Sequence, residues 1–168
     1  MCYFDPKTCF LYTATLGDAE ANIYRKIKRS VKSLPLSPVR NWKTDEKRLP
    51  PNSIQKNFCE NPKYWRVQGI NVSRALGDKN ISLVSQKPKV TKTLFLPEDT
   101  LVLCCDGLKD FLLEKEIVKI VSDNQTKSPQ ELAKALTTAS VWKQTGSGDN
   151  VTVIVVRASA KEPDQERN

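Results

Sequence analysis

Three aspartates stand where apolar runs give way to glycine-rich turns. Asp106 follows the apolar start of LVLCCDGLKDFL (101–112), Asp149 precedes the apolar run of TGSGDNVTVIVV (145–156), and Asp18 closes CFLYTATLGD (9–18). Carboxylates gathered at one place repel one another unless a cation lies between them. Oxygen-only donors suit hard ions such as Mg²⁺ or Mn²⁺. Gly17, Gly107 and Gly148 flank the three aspartates, freeing the backbone to turn tightly and letting an ion or its waters approach. Each residue also has a plainer reading. Asp-Gly after a strand is ordinary turn chemistry, as is Asp149 beside Asn150. Asp110 reads as a cap or a solvated group at the start of a helix, and Asp78 after Gly77 as a helix-end turn.

The elements around these residues decide whether they meet. Residues 9–16 and 21–27 read as strands joined by GDAE, a hairpin with Asp18 at its tip. Residues 88–96 form another strand. Residues 101–105 form a central one, since their apolar run does not alternate with polar residues. Helices follow over 112–124 and 128–144. The second carries a capping box, with Ser128 as cap, Pro129 in the first turn and Glu131 three residues on. A last strand spans 150–158. If 101–105 and 150–158 pair antiparallel, the exit of one lies beside the entrance of the other, and Asp106 and Asp149 share a sheet rim. Elsewhere, two prolines make 33–42 irregular, and 43–49 starts a helix capped by Thr44 and ended by Pro50 and Pro51. Residues 52–69 are loop, 71–78 form one helical turn closed by Gly77, and the polar segment 159–168 is a frayed tail beyond a domain of residues 1–158.

Composition narrows the chemistry further. The 168 residues suffice for one domain, and 39% hydrophobic with 27% charged residues is ordinary for a soluble globular protein. There is no apolar run near the roughly 20 residues of a membrane span, and the N-terminus is not a signal peptide, so the expected setting is cytoplasmic. Five cysteines without metal-ligand spacing read as small buried residues. The sequence contains no histidine, which excludes the usual triads, His-rich zinc sites and imidazole acids or bases. Of the net charge of +8, residues 25–48 supply nine cations (Arg25, Lys26, Lys28, Arg29, Lys32, Arg40, Lys43, Lys47 and Arg48) against Asp45 and Glu46, a local +7. Only Trp42 lies inside that stretch, so it reads as a solvated loop and helix face and argues against nucleic-acid binding.

The blocks GDAEANIYR, NVSRALGD, LVLCCDGLKDFL and TGSGDNVTVIVV, in this order and with helices between the last two, resemble the C-terminal part of the metal-dependent serine/threonine phosphatases of the protein phosphatase 2C (PPM) family. The resemblance runs from about residue 9 to 157, and the last two blocks are its most diagnostic pair. It implies an α+β fold, part of an α-β-β-α sandwich of antiparallel sheets flanked by helices. It implies a two-metal Mg²⁺ or Mn²⁺ centre at one end of the sandwich, where a metal-activated water hydrolyses a phosphoprotein. By motif, Asp106 and Asp149 are implied metal ligands, and Asp18 with Asp106 is implied to hold a further, weaker ion. Gly107 and Asn150 support that loop pair, and Arg74 and Asp78 brace the site through hydrogen bonds.

Departures from the family pattern matter as much. The family's upstream Asp-Gly-His-Gly-Gly stretch, its presumed general acid and its phosphate-binding arginine are not in this sequence. GDAE lacks the arginine common after that turn, and Lys109 stands where DGLKD usually carries an aromatic. A partial sandwich leaves an apolar face and strand edges uncovered, so the expected partner beyond a phosphoprotein substrate is a complementary N-terminal half or a second copy. Two or three carboxylates are few for two hard cations. Little or no phosphatase turnover is therefore expected from this chain alone. A reading from another class is a non-catalytic interaction or regulatory module that keeps the scaffold without the chemistry.

Overall fold

The apolar run that ends at Asp106 folds as the inner strand of a sheet. The computed structural model describes residues 1–38, 41–50, 65–78, 80–146 and 148–158. Among them the elements are β1 (Cys2–Asp5), β2 (Phe10–Thr15), β3 (Glu20–Ile27), β4 (Ser30–Pro35), a 3₁₀ turn at Glu46–Arg48, β5 (Lys89–Leu94), β6 (Thr100–Cys104), α1 (Asp106–Lys109), α2 (Glu114–Asp123), α3 (Pro129–Lys143) and β7 (Val153–Arg157). They form two antiparallel sheets, one ordered β4-β3-β6-β7 and the other β1-β2-β5. The tail beyond residue 158 and most of the expected loop at 52–69 lie outside the described residues. No described helix is long and apolar enough to cross a membrane.

The inner strand β6 is buried on both faces, which is why it shows no polar alternation. One face presents Tyr24, Val102 and Cys104, with Val153 and Val155, to Leu108, Leu112, Ile117, Val121, Leu132 and Leu136 of the helical layer. The other presents Ala21, Ile23 and Leu101 to Leu11 and Phe95 of the second sheet. The capping box of α3 forms as its sequence dictates. Ser128 Oγ accepts the Glu131 N–H at 3.2 Å while Glu131 accepts the Ser128 N–H at 2.9 Å. Arg25, counted above in the basic stretch, is occupied by structure. Its guanidinium donates to both Asp99 carboxylate oxygens at 2.8 and 2.7 Å and to the Leu94 carbonyl at 2.8 Å, tying β3 to the end of β5.

Four local expectations are corrected. Residues 9–27 are not a hairpin, because β2 pairs with β1 and β5 while β3 pairs with β4 and β6, so the turn at Gly17–Asp18 carries the chain from one sheet to the other. Residues 30–35 are a strand whose Pro35 sits at its end, where a proline is tolerated. The 43–49 segment makes only the 3₁₀ turn, with Thr44 Oγ1 donating to the Asn41 carbonyl instead of capping it. Residues 71–78 are not helical. Isolated bridges Asn41–Val72 and Arg74–Ser85 hold this segment extended, and Ser73 Oγ donates to the buried Asp45 carboxylate at 2.6 Å. A small apolar cluster of Trp42, Trp65, Val67 and Val84 anchors that excursion.

Burial falls off across the inter-sheet face. Ala21, Leu103 and Ile154 form one cross-strand row, and Ile23, Leu101 and Val156 form the next. Exposure rises from 1% at Ala21 to 56% at Ile154, and from 0% at Ile23 to 41% at Val156. The three-stranded sheet therefore stops short of β7. A cavity of about 410 Å³ opens there, with Met1, Thr13, Thr15, Leu103 and Ile154 among its walls. Stability should follow the same gradient. Leu101→Ala is expected to cost about 2–5 kcal/mol, and Ile154→Ala under about 1 kcal/mol, in urea unfolding.

Candidate metal centre

Asp106 and Asp149 do share a rim. β6 and β7 pair antiparallel with Cys104 opposite Val153, so the exit of β6 lies beside the entry to β7. The junction is held by Cys105. Its N–H donates to the Thr152 carbonyl at 3.2 Å, its thiol donates to the Asn150 carbonyl at 3.2 Å, and its sulfur accepts the Thr152 N–H. Of the cysteines expected to be small buried residues, Cys104 is buried, Cys2 and Cys105 are half-buried, and Cys9 is exposed. Burial pushes the Cys104 thiol up to about 12.

Gly107 sets how closely the two segments approach. A Cβ at this position would collide with the Asn150 carbonyl oxygen and come within 3.6 Å of the Asp149 Cβ, so only glycine permits the contact. The Gly107 carbonyl in turn accepts the buried Ser140 hydroxyl of α3 at 2.9 Å. Asp149 is clamped from the end of the same helix. Gln144 donates to the Asp149 carbonyl at 2.8 Å and accepts its N–H at 3.2 Å, while the Asp149 carboxylate accepts the Asn150 N–H at 2.7 Å.

The residue that sequence reasoning set aside is Asp110. The chain turns helical at Asp106 itself, with the Asp110 N–H donating to the Asp106 carbonyl at 2.9 Å. One helical turn puts residues i and i+4 on the same face. Carboxylate oxygens of Asp106, Asp110 and Asp149 consequently all lie within 4.8 Å of one another. The four-residue spacing in DGLKD was the available signal, and a helix start placed at 112 instead of 106 hid it. Asp18 is half-buried and lines, with Glu20, Asn41, Asn71, Asp106, Lys109 and Asp110, a cavity of about 200 Å³ on the β3 side of this cluster.

Arg74 and Asp78 sit elsewhere. The Arg74 guanidinium reaches Asp45 at 3.4 Å and the Lys87 carbonyl at 2.8 Å, so the hydrogen bonds it makes there brace the 41–87 excursion. That excursion also meets the site, with Asn41 and Asn71 in the wall of the same cavity and the Arg74 carbonyl and Val72 Cγ1 packing 3.4 and 3.7 Å from where a Gly17 Cβ would stand. Asp78 is exposed in a turn, its carbonyl accepting the Ile81 N–H at 2.8 Å. Lys109 is the cation nearest the cluster in sequence. It is ion-paired to Glu114 and lies 3.4 Å from Glu20. Burial alone would lower its ammonium pKa, but the hydrogen bond to Glu114 and the charges of Glu20 and Glu114 hold it above the ordinary value.

Three converging carboxylates, all-oxygen donors and a glycine that clears the approach fit a hard divalent ion. A family model described as Protein phosphatase 2C matches residues 53–151. Human protein phosphatase 1F is 34% identical over 158 residues, covering 87% of this chain and 32% of its own length. The match spans between 13% and 41% of the length of the curated relatives compared. A serine-threonine phosphatase 2C from Toxoplasma gondii superposes with a TM-score of 0.72 at 22% identity, covering 89% of this chain and 54% of that one. The catalytic domain of the serine/threonine protein phosphatase PstP, solved in complex with 2 manganese ions, superposes at 0.59 with 20% identity, over 92% of this chain and 55% of that one. These two likenesses establish the antiparallel two-sheet fold with flanking helices.

Gly107→Ala tests the close approach directly. It is expected to cost about 1–3 kcal/mol through overpacking against the Asn150 carbonyl, read by urea unfolding. An unchanged midpoint would show that the two segments are farther apart than the structure places them.

Proposed function

The chain belongs to the protein phosphatase 2C family, and we propose that it supplies the Asp106–Asp110–Asp149 side of a metal-dependent serine/threonine protein phosphatase centre. The observation that carries this reading is the convergence of those three carboxylates, with oxygens within 4.8 Å, at one rim of the family's scaffold. Asp106, Asp110 and Asp149 are assigned as the groups that hold Mg²⁺ or Mn²⁺, and Asp18 as a contributor on the β3 side. The manganese in the PstP domain supports this choice of ion. Bound there, such an ion supplies Lewis acidity for hydrolysis of a phosphoprotein. Gly107 and Asn150 keep the two carboxylate-bearing segments at contact distance. Gln144 fixes the Asp149 backbone, and Ser140 fixes the turn that begins at Asp106.

The remainder of the site is assigned to a further portion of a phosphatase domain, in the same polypeptide or in another. The solved relatives contain nearly as much chain again, and the sequence carries no histidine and none of the family's upstream motif. The apolar rows ending at Ile154 and Val156, beside edges of β1 and β7 that are unpaired among the described residues, are where further strands would add to both sheets. We assign that role to an N-terminal portion of a phosphatase domain. By itself the chain binds metal weakly and turns over little.

Manganese titration of the purified 168-residue chain by calorimetry is expected to show binding that Asp106→Asn and Asp149→Asn abolish. Binding that is indifferent to both substitutions would end the metal assignment. Hydrolysis of p-nitrophenyl phosphate by the chain alone is expected to stay at background with Mn²⁺ present. Robust metal-dependent turnover would show that no complementary portion is needed.

A further inference from the structure

We propose that Lys109 is an internal counter-cation of this metal pocket, holding Glu20 against itself and weakening divalent-ion binding on the side of Asp18 and Asp106. The inference rests on the metal assignment above and adds a residue that assignment does not use. Lys109 is the last residue of α1, Glu20 the first of β3 and Glu114 the first of α2, so three element ends converge on one ammonium. The Lys109 side chain is only 18% exposed. Glu20 and Lys109 both line the cavity that Asp18, Asp106 and Asp110 line. Four carboxylates and one ammonium thus share its wall.

The chemistry follows from position. An ammonium sharing a pocket wall with bound M²⁺ opposes it directly, because like charges a few ångströms apart repel even near a protein surface. It also draws on Glu20 Oε2, the oxygen that accepts the Asn22 amide at 3.4 Å, and so holds that carboxylate toward itself instead of the ion. The Glu20–Lys109–Glu114 group carries a net charge of −1, two carboxylates against one ammonium. An uncharged residue at position 109 would bring neither effect. The lysine trades divalent affinity for a pocket whose carboxylates are partly neutralised without metal, as suits a chain that must fold with those carboxylates already gathered.

The test is Mn²⁺ affinity, measured by electron paramagnetic resonance of free Mn²⁺ with thermal melting of each variant. Lys109→Met makes the group −2 and is expected to tighten Asp106-dependent binding roughly tenfold. Glu114→Gln, at a more exposed helix start, makes it neutral and is expected to weaken binding roughly threefold or more. The double variant restores −1 and should return close to wild type, and Lys109→Arg should stay there. A lysine with only a structural role would lower the melting temperature and weaken binding in both single variants. Unchanged or weaker binding in Lys109→Met overturns the proposal. If that variant does not fold, unchanged binding in Glu114→Gln overturns it, and weakened binding supports it. Wild-type binding that Asp106→Asn abolishes, without these opposite shifts, removes the role of Lys109 alone. No Asp106-dependent binding in any variant removes the metal assignment with it.

Discussion

The structure turns on the antiparallel pairing of β6 with β7 and the glycine that lets their ends touch. The pairing puts the exit of one strand against the entrance of the other, across more than forty intervening residues. Sheet pairing fixes direction and register, yet it does not bring side chains beyond the strand ends together. Gly107 does that, by leaving room for the Asn150 carbonyl where any other residue would place a Cβ. Two side chains then lock the junction, Ser140 on the Gly107 carbonyl and Gln144 on the Asp149 backbone. Ser140 lies in the last turn of α3 and Gln144 just past its end, and the helix is itself aligned by its buried Leu132 and Leu136. The helical layer thus positions chemistry as well as covering the sheet. Three gathered negative charges are tolerated because the rim is open to water, where screening is strong.

What was legible in the sequence was what depends on local pattern. The non-alternating run at 101–105 announced a central strand and the Ser128–Glu131 box announced the start of α3, while the pairing of β6 with β7 entered only as the condition under which Asp106 and Asp149 would meet. What was not legible depends on tertiary choice. β2 and β3 have the look of a hairpin, but β2 buries alternate residues and β3 buries four in a row. That difference marks one strand with a single covered face and another sandwiched between layers, so the short turn between them must change sheets. Strand β4 was hidden because two prolines read as breakers, though only one lies in the strand and at its end. Asp110 was misplaced for a similar reason. A four-residue helix is too short for a periodicity argument to detect, and its existence alone decides whether Asp106 and Asp110 share a face.

Burial also records what surrounds the molecule. Along each inter-sheet row the side chains are equally apolar, yet cover disappears over β7. A strand that presents Val153 and Val155 to helices on one side and Ile154 and Val156 to water on the other has a two-sided core sequence in a one-sided setting. Edge strands in self-sufficient sheets blunt themselves with charge, proline or bulges. β7 has none of these over Val153–Val156, and its one charged residue, Arg157, turns its guanidinium to the carbonyls of Asn124 and Lys127. That pattern supports the proposal that β7 takes an inner position when further strands are present.

The open groove and the acidic pocket are not separate features, because Glu20 lines both. The groove runs past Glu20, Cys105 and Thr152, the residues that begin β3 and join β6 to β7, and its far side is the apolar wall of Leu103 and Ile154. Anything that covers that wall must also lie against the flank of the carboxylate cluster, reduce the water there and so strengthen every charge interaction in the pocket. Apolar burial and metal affinity are coupled through this one shared boundary. Gathered carboxylates that water renders tolerable in the open groove become costly once it is filled, unless a cation enters with the covering strands. On the proposed reading, strand addition and ion binding would therefore favour each other.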